Sequence, residues 1–376
     1  MRVSSESELV EAVAGARGPL RIVGGGTRDV GKPVTGEVLE VALSGVELYE
    51  PGSLTLVVRA GTPVEEVSTL LAGEGQRLAF EPMDFSGVLG GEGRSTIGGV
   101  VAANASGPRR IQAGAVRDFT LGTRFVDGRG RLVKNGGRVM KNVTGYDLVK
   151  LMAGSWGTLG VLSEVSLKVQ PIPEAQVTLV RPVETLAEAV GFMSAALGSP
   201  FDVTGAATTG AFEVAIRLEG SAFSVDYRAK ALLDGVLAGF ERVEGAASAA
   251  LWDDIGRLAP FVGSARDLWR VSLKPGDAPA FHAAVGDIAG SCLFDWGGGL
   301  VWLETREGTA ASEAARRIRA ALAPIGGHAT LIRASTADRQ AVDVFHPEAP
   351  RVAALSRAIK QSFDPRGLLN PGLMGH

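Results

Sequence analysis

The sequence predicts an α+β protein of two domains, on three observations. Glycine clusters concentrate in the first half: Gly24-Gly25-Gly26-Thr27, the run from Gly87 to Gly107, and Gly154-Ser155-Trp156-Gly157-Thr158-Leu159-Gly160. After Pro171 and Pro173 they thin out and ordinary amphipathic patterns take over, which marks a domain boundary. The chain, at 376 residues, is longer than one hydrophobic core usually serves.

The first half reads as alternating strands and helices. Leu20-Arg21-Ile22-Val23 is a short strand running into the triple glycine, and Leu54 to Ala60 is another. A helix follows, with Thr62 as N-cap, Pro63 at the first helical position, Glu65 completing a capping box and Val67, Leu70 and Leu71 as its apolar stripe. Gly87 to Gly107 is too rich in glycine for helix or regular strand and is expected to be an ordered loop. Phe119 to Val126 and Gly130 to Val133 read as strands joined at Asp127-Gly128, and Leu162 to Val169 alternates as a further strand.

Beyond the prolines, Thr185 and Glu188 box the start of a helix reaching about Leu197. Phe212, Val214, Ile216 and Leu218 alternate with Glu213, Arg217 and Glu219, the pattern of a strand with one wet face. Helices near 222–239 and 309–322 and strands near 268–273, 300–304 and 328–333 complete an antiparallel α+β layer. Val352, Leu355, Ile359 and Phe363 fall at helical spacing, so this last helix is expected to dock an apolar face.

Composition narrows the function. A net charge of -3 with no basic block argues against a nucleic-acid partner. One cysteine, Cys292, excludes disulfide scaffolds, zinc ribbons and cysteine-ligated iron-sulfur clusters on this chain, and it reads as a buried thiol. The start is acidic and no apolar run is long enough to span a bilayer, so a cytoplasmic location is expected, with partner subunits as the route to any membrane.

Glycine clusters expose backbone N–H groups where a chain turns, so three of them suggest a long phosphate-bearing ligand. Two familiar phosphate motifs fail. Gly26-Thr27-Arg28-Asp29-Val30-Gly31-Lys32 has P-loop spacing, but Pro33 stands where a hydroxyl must bind magnesium. Gly24-Gly25-Gly26 lacks the spaced third glycine of the dinucleotide fingerprint, and no helix starts there.

In their order, Ile22 to Thr27, then Ser95-Thr96-Ile97-Gly98-Gly99 with Asn104 and Ser106-Gly107, then Gly154 to Val161, resemble the FAD-binding domain of the vanillyl-alcohol oxidase and p-cresol methylhydroxylase (PCMH) type. Within that type the chain resembles the flavin-binding E subunits of bacterial glycolate oxidases, supported by Val139 to Leu148 and by Phe363-Asp364-Pro365-Arg366-Gly367-Leu368-Leu369-Asn370-Pro371-Gly372. The resemblance runs from about residue 18 to 172 and resumes at about 340. It implies a PCMH-type FAD-binding domain over 1–171, an antiparallel-sheet cap over 172–340, and a segment 341–376 returning to the first domain, with FAD between the domains.

The resemblance also implies site residues. Gly24, Gly25, Gly26, Thr27, Arg28 and Asp29 would wrap the FAD pyrophosphate. Thr96, Ile97, Gly98, Gly99, Asn104, Ser106 and Gly107 would run beside the pyrophosphate and ribityl chain, with Asn104 and Ser106 offering side chains. Gly157, Thr158, Gly160 and Val161 would pass the adenine and ribose. For Arg28 a phosphate contact and a solvated or salt-bridged side chain both stay open. Relatives with covalent flavin use His or Cys near the first loop; this loop has neither, so the FAD is expected to be non-covalent.

The chemistry is less legible. Hydroxyacid-oxidising relatives carry Glu where this chain has Trp156, and they bring metal-binding histidines and an acidic residue from the second domain. Here His282, His328, His346 and His376 show no ligand spacing, so no metal is expected and no catalytic base can be named. His346, before Pro347, is the histidine worth testing. Arg270 reads either as a substrate carboxylate clamp or as an exposed strand arginine, and Trp269, Trp296 and Trp302 as core or interface aromatics. The expected function is therefore the FAD-binding subunit of a glycolate oxidase complex, acting on a small 2-hydroxyacid beside a larger FAD-containing catalytic subunit and an iron-sulfur subunit. A self-sufficient FAD-dependent 2-hydroxyacid dehydrogenase or oxidase and a non-catalytic flavin-fold scaffold are the alternatives.

Overall fold

The structure is a computed structural model that describes residues 1–138 and 145–375; Val139 to Thr144, within a family-like segment, and His376 lie outside the described residues. The chain divides into two compact units. The first comprises Met1–Ser106, Gly114–Ile172 and Pro347–His376, and the second Gly107–Ala113 and Pro173–His346. The short piece Gly107–Ala113, expected with the first domain, is thus a strap belonging to the second unit, as does 341–346.

The first unit holds a parallel sheet of Arg2–Val3, Glu37–Val41 and Leu20–Val23, and an antiparallel sheet in the order Val46–Glu50, Thr55–Arg59, Val161–Lys168, Thr120–Val126, Leu132–Gly136. The helix Val64–Gly73 is present but starts differently from the expectation. Pro63 is its N-cap, without a side-chain bond, and the Thr62 hydroxyl instead bonds the peptide groups of Gly45 and Arg59. Tertiary acceptors won because Thr62 is buried.

The glycine-rich run also departs from the expected loop. Ser86–Leu89 and Ile97–Ala103 are helical, the latter capped by Thr96, whose hydroxyl accepts from Gly99 N at 3.3 Å. Two glycines lower its intrinsic preference, but burial of Ile97, Val100 and Val101 overrides it. Gly98 is needed there: a Cβ would lie 2.7 Å from the Ala60 side chain.

The C-terminal segment returns as a strand-like edge on the parallel sheet. Leu20 N donates to Leu368 O at 2.7 Å, and Asn370 N donates to Leu20 O at 3.0 Å. The helix before it, Pro350–Phe363, does not dock an apolar face: Val352 and Leu355 are 51% and 61% exposed. It is held at its end, where Lys360 Nζ donates to Thr158 O and Leu369 O and pairs with Asp364.

The second unit contains a duplication that the sequence does not display. Ala175–Pro182, Leu186–Leu197, Gly205–Thr209, Glu213–Gly220, Ala222–Leu233 and Glu241–Glu244 form strand, helix, strand, strand, helix, strand. Leu268–Ser272, Ala278–Val285, Ala289–Asp295, Leu300–Thr305, Ala311–Leu322 and His328–Arg333 repeat that order, and in both antiparallel sheets the second strand lies outermost, then the third, first and fourth. The two sheets meet along these outermost second strands, where Phe294 N donates to the Thr208 hydroxyl at 3.2 Å.

The strand Glu213–Gly220 corrects the expected wet face, because its polar face is buried. Arg217 and Glu219 are 1% and 6% exposed, and Glu219 accepts two 2.8 Å bonds from Arg109 on the strap. Arg217 lies 4.4 Å over the Trp252 ring, on the helix Gly245–Gly256 that covers this sheet. Cys292 is half-buried, and burial pushes its thiol up to about 12. It is therefore expected to react slowly with thiol reagents at pH 8, as a colorimetric thiol assay checks. Among the described residues no helix is long and apolar enough to cross a membrane.

Candidate cofactor cleft and an arginine cluster

The strand Leu20–Val23 delivers the chain into the loop Gly24–Asp29, which lines a solvent-open cleft of about 1000 Å³ in the first unit. Of the residues the sequence singled out, Gly24, Gly25, Gly26, Thr27, Arg28, Asp29, Thr96, Gly98, Gly99, Gly157, Gly160 and Val161 line it. Ile97, Asn104, Ser106, Gly107 and Thr158 do not. Ile97 is buried; the Asn104 and Ser106 side chains accept from Arg117 N and Val116 N; the Thr158 hydroxyl donates to Ser155 O. Gly107, on the strap, accepts from Trp296 Nε1 at 3.2 Å.

Glycine is required in this loop for two different reasons. A Cβ on Gly25 would lie 1.6 Å from the Arg94 carbonyl oxygen, and one on Gly93 would lie equally close to the Gly25 carbonyl, so two backbones touch. Gly26 has φ +72° with open space beside it. Among the described residues the peptide N–H groups of Gly25, Gly26, Thr27 and Arg28 have no partner within the chain. Unpaired N–H groups along one turn form an anion-binding concavity without a helix. A pyrophosphate fits that donor set, and the cleft holds neither His nor Cys to bond a flavin.

Arg28 serves the loop itself. Its side chain bonds the Met83 carbonyl, Ser95 Oγ and Thr27 Oγ1 and lies 5.7 Å from the Phe85 ring, stapling the loop to 83–95. Burial lowers its pKa to about 10, against the opposing field of Asp84. Asp29 pairs with Arg21 at 3.1 Å, both substantially exposed.

Asn370, in the segment expected to return to the first domain, also lines the cleft, although it is not among the site residues the sequence singles out. Its Oδ1 accepts from Ile22 N and its Nδ2 donates to Trp156 O, both at 2.8 Å, so one amide ties the first glycine loop's strand to the third glycine turn. Asn370→Ala is expected to cost about 1–3 kcal/mol and to weaken flavin retention, as thermal unfolding and bound-flavin absorbance check.

A second constellation lies within the second unit. Arg270, Trp302 and Thr330 are cross-strand partners, and Ser272 pairs His328 one step along the same face. The Arg270 guanidinium, half-buried, lies 5.3 Å from the Trp296 ring and 6.0 Å from that of Trp302, while Arg110 of the strap lies 4.5 Å over Trp296. Arg270 thus resolves the open alternative against a solvent-exposed strand arginine. Burial lowers its pKa to about 10, with Arg110 adding to that and Asp295 opposing it.

Burial, then Arg270, His346 and Arg110, hold His328 below its ordinary value. Burial and Arg319 do the same for His346, whose Nδ1 accepts from Ala329 N at 3.4 Å. Both imidazoles are therefore harder to protonate than a free histidine. Two arginines with two such histidines can hold a carboxylate and offer a proton acceptor. Their spacing along the chain hides the cluster from sequence reading. His282 is packed edge-on between Phe212 and Phe294, an apolar setting.

Comparison with known proteins agrees with the cleft. Residues 1–136 match the FAD binding domain family. The chain is 38% identical to the glycolate oxidase subunit GlcE of Escherichia coli (strain K12) over 372 residues, covering 98% of this chain and 95% of that protein. It is 35% identical over 134 residues to the glycolate oxidase subunit GlcD of Bacillus subtilis (strain 168), covering 36% of this chain and 27% of that one. An alkyldihydroxyacetonephosphate synthase structure shares the fold, with a TM-score of 0.70 at 18% identity over 99% of this chain and 76% of the other. With FAD as its cofactor and an α+β PCMH-type fold, the chain belongs to the GlcE family of FAD-dependent oxidoreductases.

Proposed function

We propose that this chain is the FAD-binding subunit of a glycolate oxidase complex, which oxidises glycolate or a related D-2-hydroxyacid and passes electrons to partner subunits, a larger flavin-containing chain and an iron-sulfur chain. The observation that carries this reading is the likeness to GlcE over nearly the whole chain. Bound FAD supplies the hydride acceptor of such an oxidation. Gly25 to Arg28 hold the pyrophosphate through peptide N–H groups, and the flavin is bound non-covalently. Within the second unit, Arg270 and Arg110, set against the two indoles, offer cations that suit a carboxylate.

The arginine cluster favours a second reading, in which the chain oxidises a 2-hydroxyacid by itself. Stopped-flow mixing of the purified yellow protein with glycolate or D-lactate separates the two. Bleaching of the flavin without partners supports self-sufficiency; bleaching only after the partner subunits are added supports the complex. A colourless protein that takes up no FAD overturns both. Arg270→Ala is expected to weaken apparent 2-hydroxyacid affinity by about 10–100-fold, the worth of a charged hydrogen-bonded contact. Flavin content should be unchanged, and substrate titration of the holoenzyme checks it.

A further inference from the structure

We propose that the exposed face of the helix Pro350–Phe363 is the surface on which a partner subunit docks, an inference that rests on the complex proposed above. This helix has 14 residues, and none of them is buried. A helix of that length is marginal in water by itself and normally gains its stability by packing an apolar face. Val352 and Leu355, 51% and 61% exposed, leave that gain unmade. The helix is nevertheless held in place. Lys360 Nζ donates to Thr158 O at 2.7 Å and to Leu369 O at 2.8 Å, Arg129 Nη1 donates to Ser362 O at 2.6 Å, and the Phe363 ring lies 6.1 Å from that of Phe125. A surface fixed in this way has little conformational freedom left to lose on association.

The residues on its outward side select the occupant. Ala354 and Ala358, one turn apart, are exposed and leave room for another backbone to come close. Arg351 and Leu355, also one turn apart, stand along one flank of that row, and Arg357 stands on the other. Among the described residues neither guanidinium has an ion-pair or hydrogen-bond partner. A second copy of this chain seated on the same face would set Arg351 and Arg357 of one chain against those of the other, which like charges oppose. A membrane surface is met by Trp, Phe or Leu in number, and the exposed part of this face offers Leu355 and Val352 with no aromatic ring. What fits is an apolar groove or helix face of a different chain with Asp or Glu on both rims, one carboxylate to each arginine.

Two variants test the face. Leu355→Glu sets a carboxylate in its apolar part, and Arg351→Glu with Arg357→Glu reverses its rims. All three positions are exposed, so flavin content and melting temperature should stay at the unaltered values. Each full-length protein is titrated by biolayer interferometry against the purified larger flavin-containing chain and against the iron-sulfur chain, at low and at high salt. Leu355→Glu is expected to weaken binding to one of them about 10–100-fold. The paired arginine changes are expected to cost about 10-fold at low salt and less at high salt, where charges are screened. Unmoved affinity of both variants for both chains overturns the docking face and leaves the complex standing. An unaltered chain that binds neither subunit overturns the complex, and the docking face with it. Self-association in gel filtration, or binding to vesicles containing phosphatidylserine, that Leu355→Glu abolishes while subunit binding is unmoved overturns the choice of occupant.

Discussion

Glu219→Ala is expected to destabilise the protein by about 3–5 kcal/mol, the usual consequence of taking one partner from a buried ion pair. Arg109 and Arg217 would keep their positive charges in the interior without the carboxylate that accepts both 2.8 Å bonds from Arg109. The unfolding midpoint in urea checks the magnitude. Replacing Arg109 and Glu219 together by leucine and methionine is expected to cost less, since only Arg217, in place of both arginines, then loses the carboxylate. Local consequences should follow the strap. Arg109 and Arg110 are adjacent, and Arg110 lies on the Trp296 ring beside Arg270. Loss of the Arg109 anchor is therefore expected to weaken 2-hydroxyacid binding even where the variant remains folded, which a titration below the unfolding temperature reads.

The second large effect is expected at the first glycine loop, where neighbouring residues should fail for different reasons. Gly25→Val drives a Cβ to 1.6 Å from the Arg94 carbonyl oxygen, so the loop must separate from 93–95. Both bound flavin and thermal stability should be lost. Gly26→Val meets no protein atom within 4 Å, but its φ of +72° costs a β-branched residue roughly 1–2 kcal/mol. Its side chain would take up open space at the cleft that Gly26 lines, so flavin should be lost with the fold retained. Flavin content after gel filtration, set against the melting temperature, distinguishes them. A Gly26→Val protein that retains FAD at full occupancy removes the loop from the binding site.

Much of this was legible because glycine acts locally. Gly24 to Gly26 and Gly157 needed no partner to be recognised as turns that bare their backbones, and Thr185 with Glu188 set a helix start that the structure keeps, with Thr185 accepting from Glu188 N. Periodicity likewise placed Leu300–Thr305 and His328–Arg333. Other readings failed where a distant residue changed the local balance. Thr62 left its cap for the peptide groups of Gly45 and Arg59, and Ile97–Ala103 became helix because its apolar side chains found a core.

What the sequence alone determined about this protein is the cofactor: the order of its backbone-baring loops, the missing hydroxyl at Pro33 and the absence of His or Cys in the first loop all depend on neighbouring residues. Only the tertiary structure decided the rest. It showed that the second unit is a doubled strand-helix arrangement, that Gly107–Ala113 belongs to it, and that Arg110, Arg270, His328 and His346 share one cluster. It also showed that Asn370 ties two glycine loops together from the far end of the chain. The physical reason is separation along the chain. A turn or a cap is stabilised within a few residues and leaves its signature there, whereas these contacts form only after strands have paired across tens to hundreds of positions.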